Sequence, residues 1–226
     1  MESHIDAVIY CTGYLYSFPF LDSLQPPLIT TGTHVENLFQ HIFYCPDPSL
    51  AFLVLNQKVI PFPMAEAQSA VIARVWSGRL QLPARADMEA WEEQLAERTE
   101  RPRNFHLLPF PQDADYINML HDWAMSADDA AETHQEYRCR RLSKSETDER
   151  AGKSDGHDNN QVRQDVGKEP PRWGEKQYWM RERFPAIKHA YQSFGEERYS
   201  KRSLEDVGFD FSRWKRERAE EGKRLL

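Results

Sequence analysis

Asp6-Ala7-Val8-Ile9-Tyr10-Cys11-Thr12-Gly13-Tyr14 is the stretch on which the reading of the fold turns. With Ile5 before it, the run to Cys11 is apolar at nearly every position, the pattern of a strand buried on both faces of a parallel sheet. Thr12-Gly13-Tyr14 then ends the strand in a glycine turn, at the carboxyl edge where open parallel sheets bind their ligands. A second such strand is expected at Leu50-Ala51-Phe52-Leu53-Val54-Leu55, with weaker extended pieces at 27–31 and 41–44. That is too few, because buried strands need hydrogen-bonding neighbours on both sides and helices over both faces. The missing neighbours are expected before Met1.

Downstream the period changes from two to 3.6. Pro61-Phe62-Pro63 leads into a segment from Met64 to Ser77, closed by Gly78, in which Met64, Ala67, Val71, Ile72 and Val75 form an apolar stripe. Proline in the first turn and glycine just past the end bracket a helix. Asp87 is placed to cap a second helix with Met88, Trp91 and Leu95 on one face, ending before Pro102. A third helix is predicted over 113–125 from the recurrence of Tyr116, Ile117, Leu120, Trp123 and Ala124. Trp76, Trp91 and Trp123 lie on or near these stripes and are expected in the core.

From Ser143 to Pro170 only Ala151, Val162 and Val166 are apolar apart from prolines and glycines, too few to offset the ordering entropy, so a disordered linker is expected. Beyond it, Trp173, Tyr178, Trp179, Phe184, Tyr191 and Phe194 mark one or two helices interrupted near Pro185, and Phe209, Phe211 and Trp214 precede a charged end. The expected organisation is a sheet-containing part over 1–85, a helical extension over 86–142, the linker over 143–170 and a helical tail over 171–226.

The chain has 226 residues, 40% of them hydrophobic, and a formal net charge of -7. Its mean hydropathy is -0.75. Charge is graded: residues 1–142 carry 10 Lys/Arg against 19 Asp/Glu, and residues 171–226 carry 14 against 10. An acidic body with a tail of mixed sign argues against nucleic acid as a partner. Cys11, Cys45 and Cys139 lie far apart with no paired spacing, as in a reducing compartment, and the eight histidines never recur at metal-ligand spacing. With no signal-peptide pattern and no spanning apolar run, a soluble, cytoplasmic protein is expected.

Two blocks carry a family resemblance. The segment Asp6 to Tyr14, followed by Ser17-Phe18-Pro19-Phe20-Leu21, resembles the Asp-x-hydrophobic-x-x-[Ala/Cys]-Thr-Gly-Tyr pattern of flavin-containing monooxygenases. Pro61-Phe62-Pro63-x-x-Glu66-x-Gln68, with Val75-x-x-Gly78-x-x-x-Leu82-Pro83, is similar to that family's final helix, at about the family's spacing. The resemblance covers about residues 5–125. It implies an α/β fold: part of a three-layer, Rossmann-type domain binding FAD and NAD(P), followed by a mostly helical carboxyl-terminal extension. The implied activity is an NADPH-dependent flavin monooxygenase that oxygenates a soft nucleophile, an amine nitrogen or a sulfide. FAD and NADPH are the implied cofactors, and a small amine or sulfur compound the implied substrate. The flavin performs the hard step, so the absence of a nucleophile or acid/base triad is consistent with the family, and the catalytic residues stay unassigned.

Six positions follow from the resemblance as cofactor-binding candidates. Thr12, Gly13 and Tyr14 would shape the junction between FAD and NADPH regions; the alternative is that Gly13 only permits the turn and Tyr14 packs. Pro63, Glu66 and Gln68 would begin a helix whose free N–H groups and positive end face the flavin, with simple capping or solvation of Glu66 and Gln68 as the alternative. His34, His41 and His106 are unpaired in sequence and read as structural.

The sequence departs from the family twice. Val54 stands where members usually carry glycine, so its Cβ would crowd the flavin edge. No G-x-G-x-x-G turn occurs; Thr31-Gly32-Thr33 is the nearest glycine turn, and one glycine cannot cradle a pyrophosphate. As it stands the chain reads as the carboxyl-terminal piece of such an enzyme, inactive alone, with an amino-terminal half missing. The competing reading is a non-catalytic remnant that works as a protein-interaction module. A third, a basic helix at 212–226 contacting nucleic acid or membrane, is weakened by Glu217, Glu220 and Glu221 interleaved among its cations.

Overall fold

A computed structural model describes residues 6–100, 102–127 and 168–224. The chain divides into two units, Met1–Gln57 with Gln81–Leu107, and Lys58–Leu80 with Leu108–Leu226.

The first unit is built on a hairpin. Strands β1 (Leu38–Phe39) and β2 (Phe43–Tyr44) pair antiparallel, Leu38 opposite Tyr44 and Phe39 opposite Phe43. The connecting turn has Gln40 and His41 both left-handed, at φ 52° and 57°, and the Ile42 N–H donates to the Phe39 carbonyl at 3.0 Å. Left-handed central residues give a turn whose twist matches that of the flanking strands. Leu28, Val35, Leu38 and Tyr44 form the core, packed by Tyr16, Phe18, Leu21, Leu24, Ile29, Leu50, Phe52 and Leu55. Helix α1 (Pro61–Trp76) belongs to the other unit; here helix α2 (Arg85–Arg98) lies against β1, with Met88 buried and the Trp91 ring 5.5 Å from Phe39.

Neither expected parallel strand is present among the described residues. Asp6 to Cys11 forms no regular element, and Val8, Ile9 and Tyr10 are exposed, because nothing in the described chain pairs with them. Between Leu50 and Leu55 there is one bridge, Ala51 to Phe43; at Val54 the backbone turns left-handed, at φ 55°, and extended structure ends. The described sheet is the two-stranded hairpin. A helix-rich α/β arrangement stands, without the parallel sheet.

The helices follow the local signals closely. Helix α1 runs Pro61–Trp76, with Pro61 at its first position and Gly78 left-handed just past its end. Helix α3 runs Gln112–Met125. Their stripes meet: Met64, Ala67, Gln68 and Val71 are buried with Ala114, Ile117, Leu120 and Ala124 in the second unit. Trp76 departs from its expectation and is 57% exposed, at the last residue of α1 and about 140° round the helix from Val71. Asp87 sits in the first turn of α2 but makes no side-chain cap.

Beyond Pro170 the chain forms α4 (Glu175–Glu182), α5 (Phe184–Ser193) and α6 (Phe211–Arg224). The break before Pro185 falls where the sequence placed it. Trp179 is buried against Phe211 and Trp214, and the Arg183 guanidinium lies over both indoles, 5.3 Å and 5.2 Å from their centres. On α6, Arg213 pairs with Glu217 one turn on, as a solvated helix does. The expected linker at 143–170, save for its last three residues, and Cys139 fall outside the described residues.

Candidate functional site

The six candidate residues divide between the two units, and each group has a definite setting within its own. In the first unit Thr12, Gly13 and Tyr14 are solvent-exposed, Tyr14 completely so. Gly13 has φ 83°, so the glycine turn read in the sequence is there, and a Cβ on it would meet nothing within 4 Å. The conformation, not a close approach, calls for glycine.

In the second unit Pro63, Glu66 and Gln68 lie on α1. The helix begins two residues earlier than the expected Pro63, and prolines occupy two of its first three positions. A proline has no N–H, so only Phe62 offers a backbone donor there, fewer than the open turn that was expected. Glu66, on the exposed side, forms an ion pair with Lys168. Gln68 is fully buried and hydrogen-bonds Tyr116 across the helix pair; burial pushes the Tyr116 hydroxyl well above the usual tyrosine range.

Sequence reasoning missed how the histidines meet. In the first unit the Val35 N–H donates to His106 Nε2 at 3.0 Å, and His106 Nδ1 lies 3.0 Å from His41 Nδ1. The His34 ring centre is 6.4 Å from that of His106. Burial pushes His41 down to about 4; burial and the neighbouring imidazoles push His106 down to about 3. Both rings are neutral at pH 7 and form a hydrogen-bonded core pair, as the structural reading expected. Glu92 on α2 accepts from the backbone N–H groups of Asn37 and Leu38, and burial pushes its carboxyl up to about 7. No sequence signal ties His41 to His106 or Glu92 to Asn37. Among the described residues no group of three histidines, cysteines or carboxylates is placed to hold a metal ion.

A dinucleotide cofactor needs a cradle of backbone donors for its pyrophosphate. The nearest glycine turn is closed on itself: the Thr31 and Thr33 hydroxyls bond each other at 2.8 Å, and a Cβ on Gly32 would lie 2.9 Å from Leu15 Cβ. That glycine makes room for the chain's own Leu15, not for a phosphate. The turn at Gly32 therefore does not fit a pyrophosphate.

Residues 1–131, over half of the chain, match the Flavin-binding monooxygenase-like family, and the chain belongs to it. Flavin-containing monooxygenase ustF2 of Aspergillus flavus is 34% identical over 139 residues, which are 57% of this chain and 28% of the relative. Thiol-specific monooxygenase of Saccharomyces cerevisiae is 35% identical over 96 residues, 38% of this chain and 22% of the relative. Among solved structures, S-allyl-L-cysteine S-oxygenase from Allium sativum is similar at 32% identity and a TM-score of 0.44, over 62% of this chain and 34% of that one. The chain thus spans 22% to 34% of the length of these three proteins.

Proposed function

We propose that this chain is one part of a flavin-dependent, NADPH-using monooxygenase that oxygenates a soft nucleophile, and that FAD and NADPH are held mainly by sequence it does not contain. The observation that carries the reading is the combination of family membership over residues 1–131 with a Gly32 turn filled by Leu15. A sulfur or amine compound is the proposed substrate class, supported on the sulfur side by the thiol-specific yeast relative. On this reading the first 85 residues complete a Rossmann-type domain, with Asp6 to Cys11 becoming a strand once neighbours are supplied. Thr12, Gly13 and Tyr14, with Pro63, Glu66 and Gln68, then border the cofactor. A helical extension follows over 86–127 and a helical tail over 171–224, and the protein works in the cytoplasm.

The test is optical. Purified alone, the 226-residue chain is expected to be colourless and not to oxidise NADPH. Supplying a segment with two G-x-G-x-x-G turns should restore flavin absorbance and NADPH-dependent oxygen uptake with a thiol or amine. Stoichiometric FAD on the chain alone would overturn the division of labour. A reconstituted yellow protein that never consumes NADPH would overturn the monooxygenase assignment and favour an interaction module.

A further inference from the structure

Within the second unit the tail is joined to α3 by a ladder of polar contacts that descends the helix. Arg172 pairs with Asp122. Asn118 both donates to the Trp173 carbonyl, at 3.0 Å, and accepts from the Trp173 N–H, at 2.7 Å. The Tyr178 hydroxyl donates to Asp115 at 2.6 Å, and Arg181 Nε meets Asp113 Oδ2 at 2.5 Å. Positions 122, 118 and 115 fall on one face of the helix and Asp113 lies about 180° round from Asp122 in the first turn, so the tail runs antiparallel to α3 from its last turn to its first and reaches round its start. The ladder ends in a buried pair: Asp113 is fully buried and the Arg181 side chain is 14% exposed.

Arg181 makes one further contact. Its Nη2 donates to the Lys58 carbonyl at 2.6 Å. Lys58 is left-handed, at φ 59°, three residues before α1 begins, a backbone state that a residue with a Cβ holds only when its surroundings impose it. One guanidinium thus joins α4, the start of α3 and the turn leading into α1. A planar fork can serve two acceptors at once; an ammonium on a flexible stem does so poorly. At the other end Lys168 pairs with Glu66, and its carbonyl accepts from Arg74 Nη2 at 3.3 Å, so the tail also grips the middle of α1.

We propose that Arg181 is a positioning residue for α1. The tail, which lies outside the family-matched residues 1–131, clamps through Arg181 the turn that leads into the helix bearing Pro63, Glu66 and Gln68. The functional half of the proposal rests on the flavin reading given above; the clamp itself does not.

Hydrogen exchange on the 226-residue chain tests the clamp. Arg181→Lys keeps a cation beside Asp113 and loses the fork, so it is expected to raise exchange at the amides of Met64, Ala65 and Glu66, where the hydrogen bonds of α1 begin, at least tenfold with the melting midpoint unchanged. Arg172→Ala, which removes an exposed pair, should leave those amides alone. Asp113→Asn with Arg181→Met neutralises both partners, leaves no buried charge unpaired, and should release the tail and the turn together. Wild-type protection at Met64 to Glu66 in Arg181→Lys, or a released tail with those amides still protected, would overturn the clamp. In protein reconstituted with the flavin-binding segment, Arg181→Lys should weaken flavin retention several-fold while Arg172→Ala does not. Equal retention in both variants would overturn the positioning role. If the wild type holds no flavin, the flavin reading has failed, and the exchange result still decides the clamp.

Discussion

The Nδ1 atoms of His41 and His106 lie 3.0 Å apart inside the first unit, and the Val35 N–H fixes which of them carries the proton. Because that N–H donates to His106 Nε2, His106 carries its proton on Nδ1 and donates it to His41 Nδ1. His41 is then protonated on Nε2. A proton added at His41 Nδ1 would face the His106 Nδ1–H, and one added at His106 Nε2 would face the Val35 N–H, so both contacts stand together only while both rings are neutral.

The first prediction is acid lability of the first unit. The histidines sit at about 4 and about 3 when folded, against an ordinary 6.5. The unfolded chain therefore binds more protons below pH 6.5, and stability is lost as pH falls from 6.5 through 4 towards 3. His41 alone corresponds to on the order of 3 kcal/mol. His106→Gln keeps an acceptor for Val35 and removes one titration, so urea melts between pH 7.5 and 4.5 should show a shallower loss than the wild type. An equally steep loss in the variant would count against the pair as its source.

Glu92 is predicted to act in the opposite direction. Its carboxyl is raised to about 7 from an ordinary 4.5, so the folded state binds the extra proton. Its contribution is complete below pH 4.5 and is lost as pH rises through 7. Glu92→Gln keeps an acceptor for the Asn37 N–H without the ionisation, and should stabilise the protein at pH 8 by about 1 kcal/mol while changing little at pH 4.5. A loss at pH 8 would show that the charge itself is needed.

At Val54 the sequence led to a crowded flavin edge, and the structure supplies a local reason to expect glycine, a left-handed backbone at φ 55°. A β-branched residue is strained there by about 1–2 kcal/mol. Val54→Ala and Val54→Gly remove nearly the same side chain but differ in that strain. Glycine should be the more stable of the two by about 1 kcal/mol in denaturant melts. If alanine proves the more stable, the backbone at 54 does not govern the choice of residue.

Val8 and Ile9 are 66% and 86% exposed in a segment with strand composition. Such a segment invites intermolecular pairing. Val8→Lys with Ile9→Lys should reduce self-association in sedimentation without moving the melting midpoint. A fall in the midpoint of the size seen for core substitutions would show that the segment is packed.

The sequence by itself determined the helices and the family. Helix α1 and helix α3 were readable because a 3.6-residue stripe, joined at α1 by a leading proline and a trailing glycine, is a local signal written within a single run of chain. The two blocks at Asp6 to Tyr14 and Pro61 to Pro83 placed the chain among the flavin monooxygenases for a similar reason: each is contiguous. The glycine turn at Gly13 was legible too, but not its surroundings. Only the tertiary structure decided what becomes of the apolar run before Thr12, since composition states that a strand wants neighbours and not whether they are present. It alone joined His41 to His106 across 65 residues and Arg181 to Asp113 across 68. It also sent Gln68 into the core and Glu66 to Lys168. Such pairings are set by how the chain closes on itself, and a polar residue carries no mark in sequence of the partner that burial will give it.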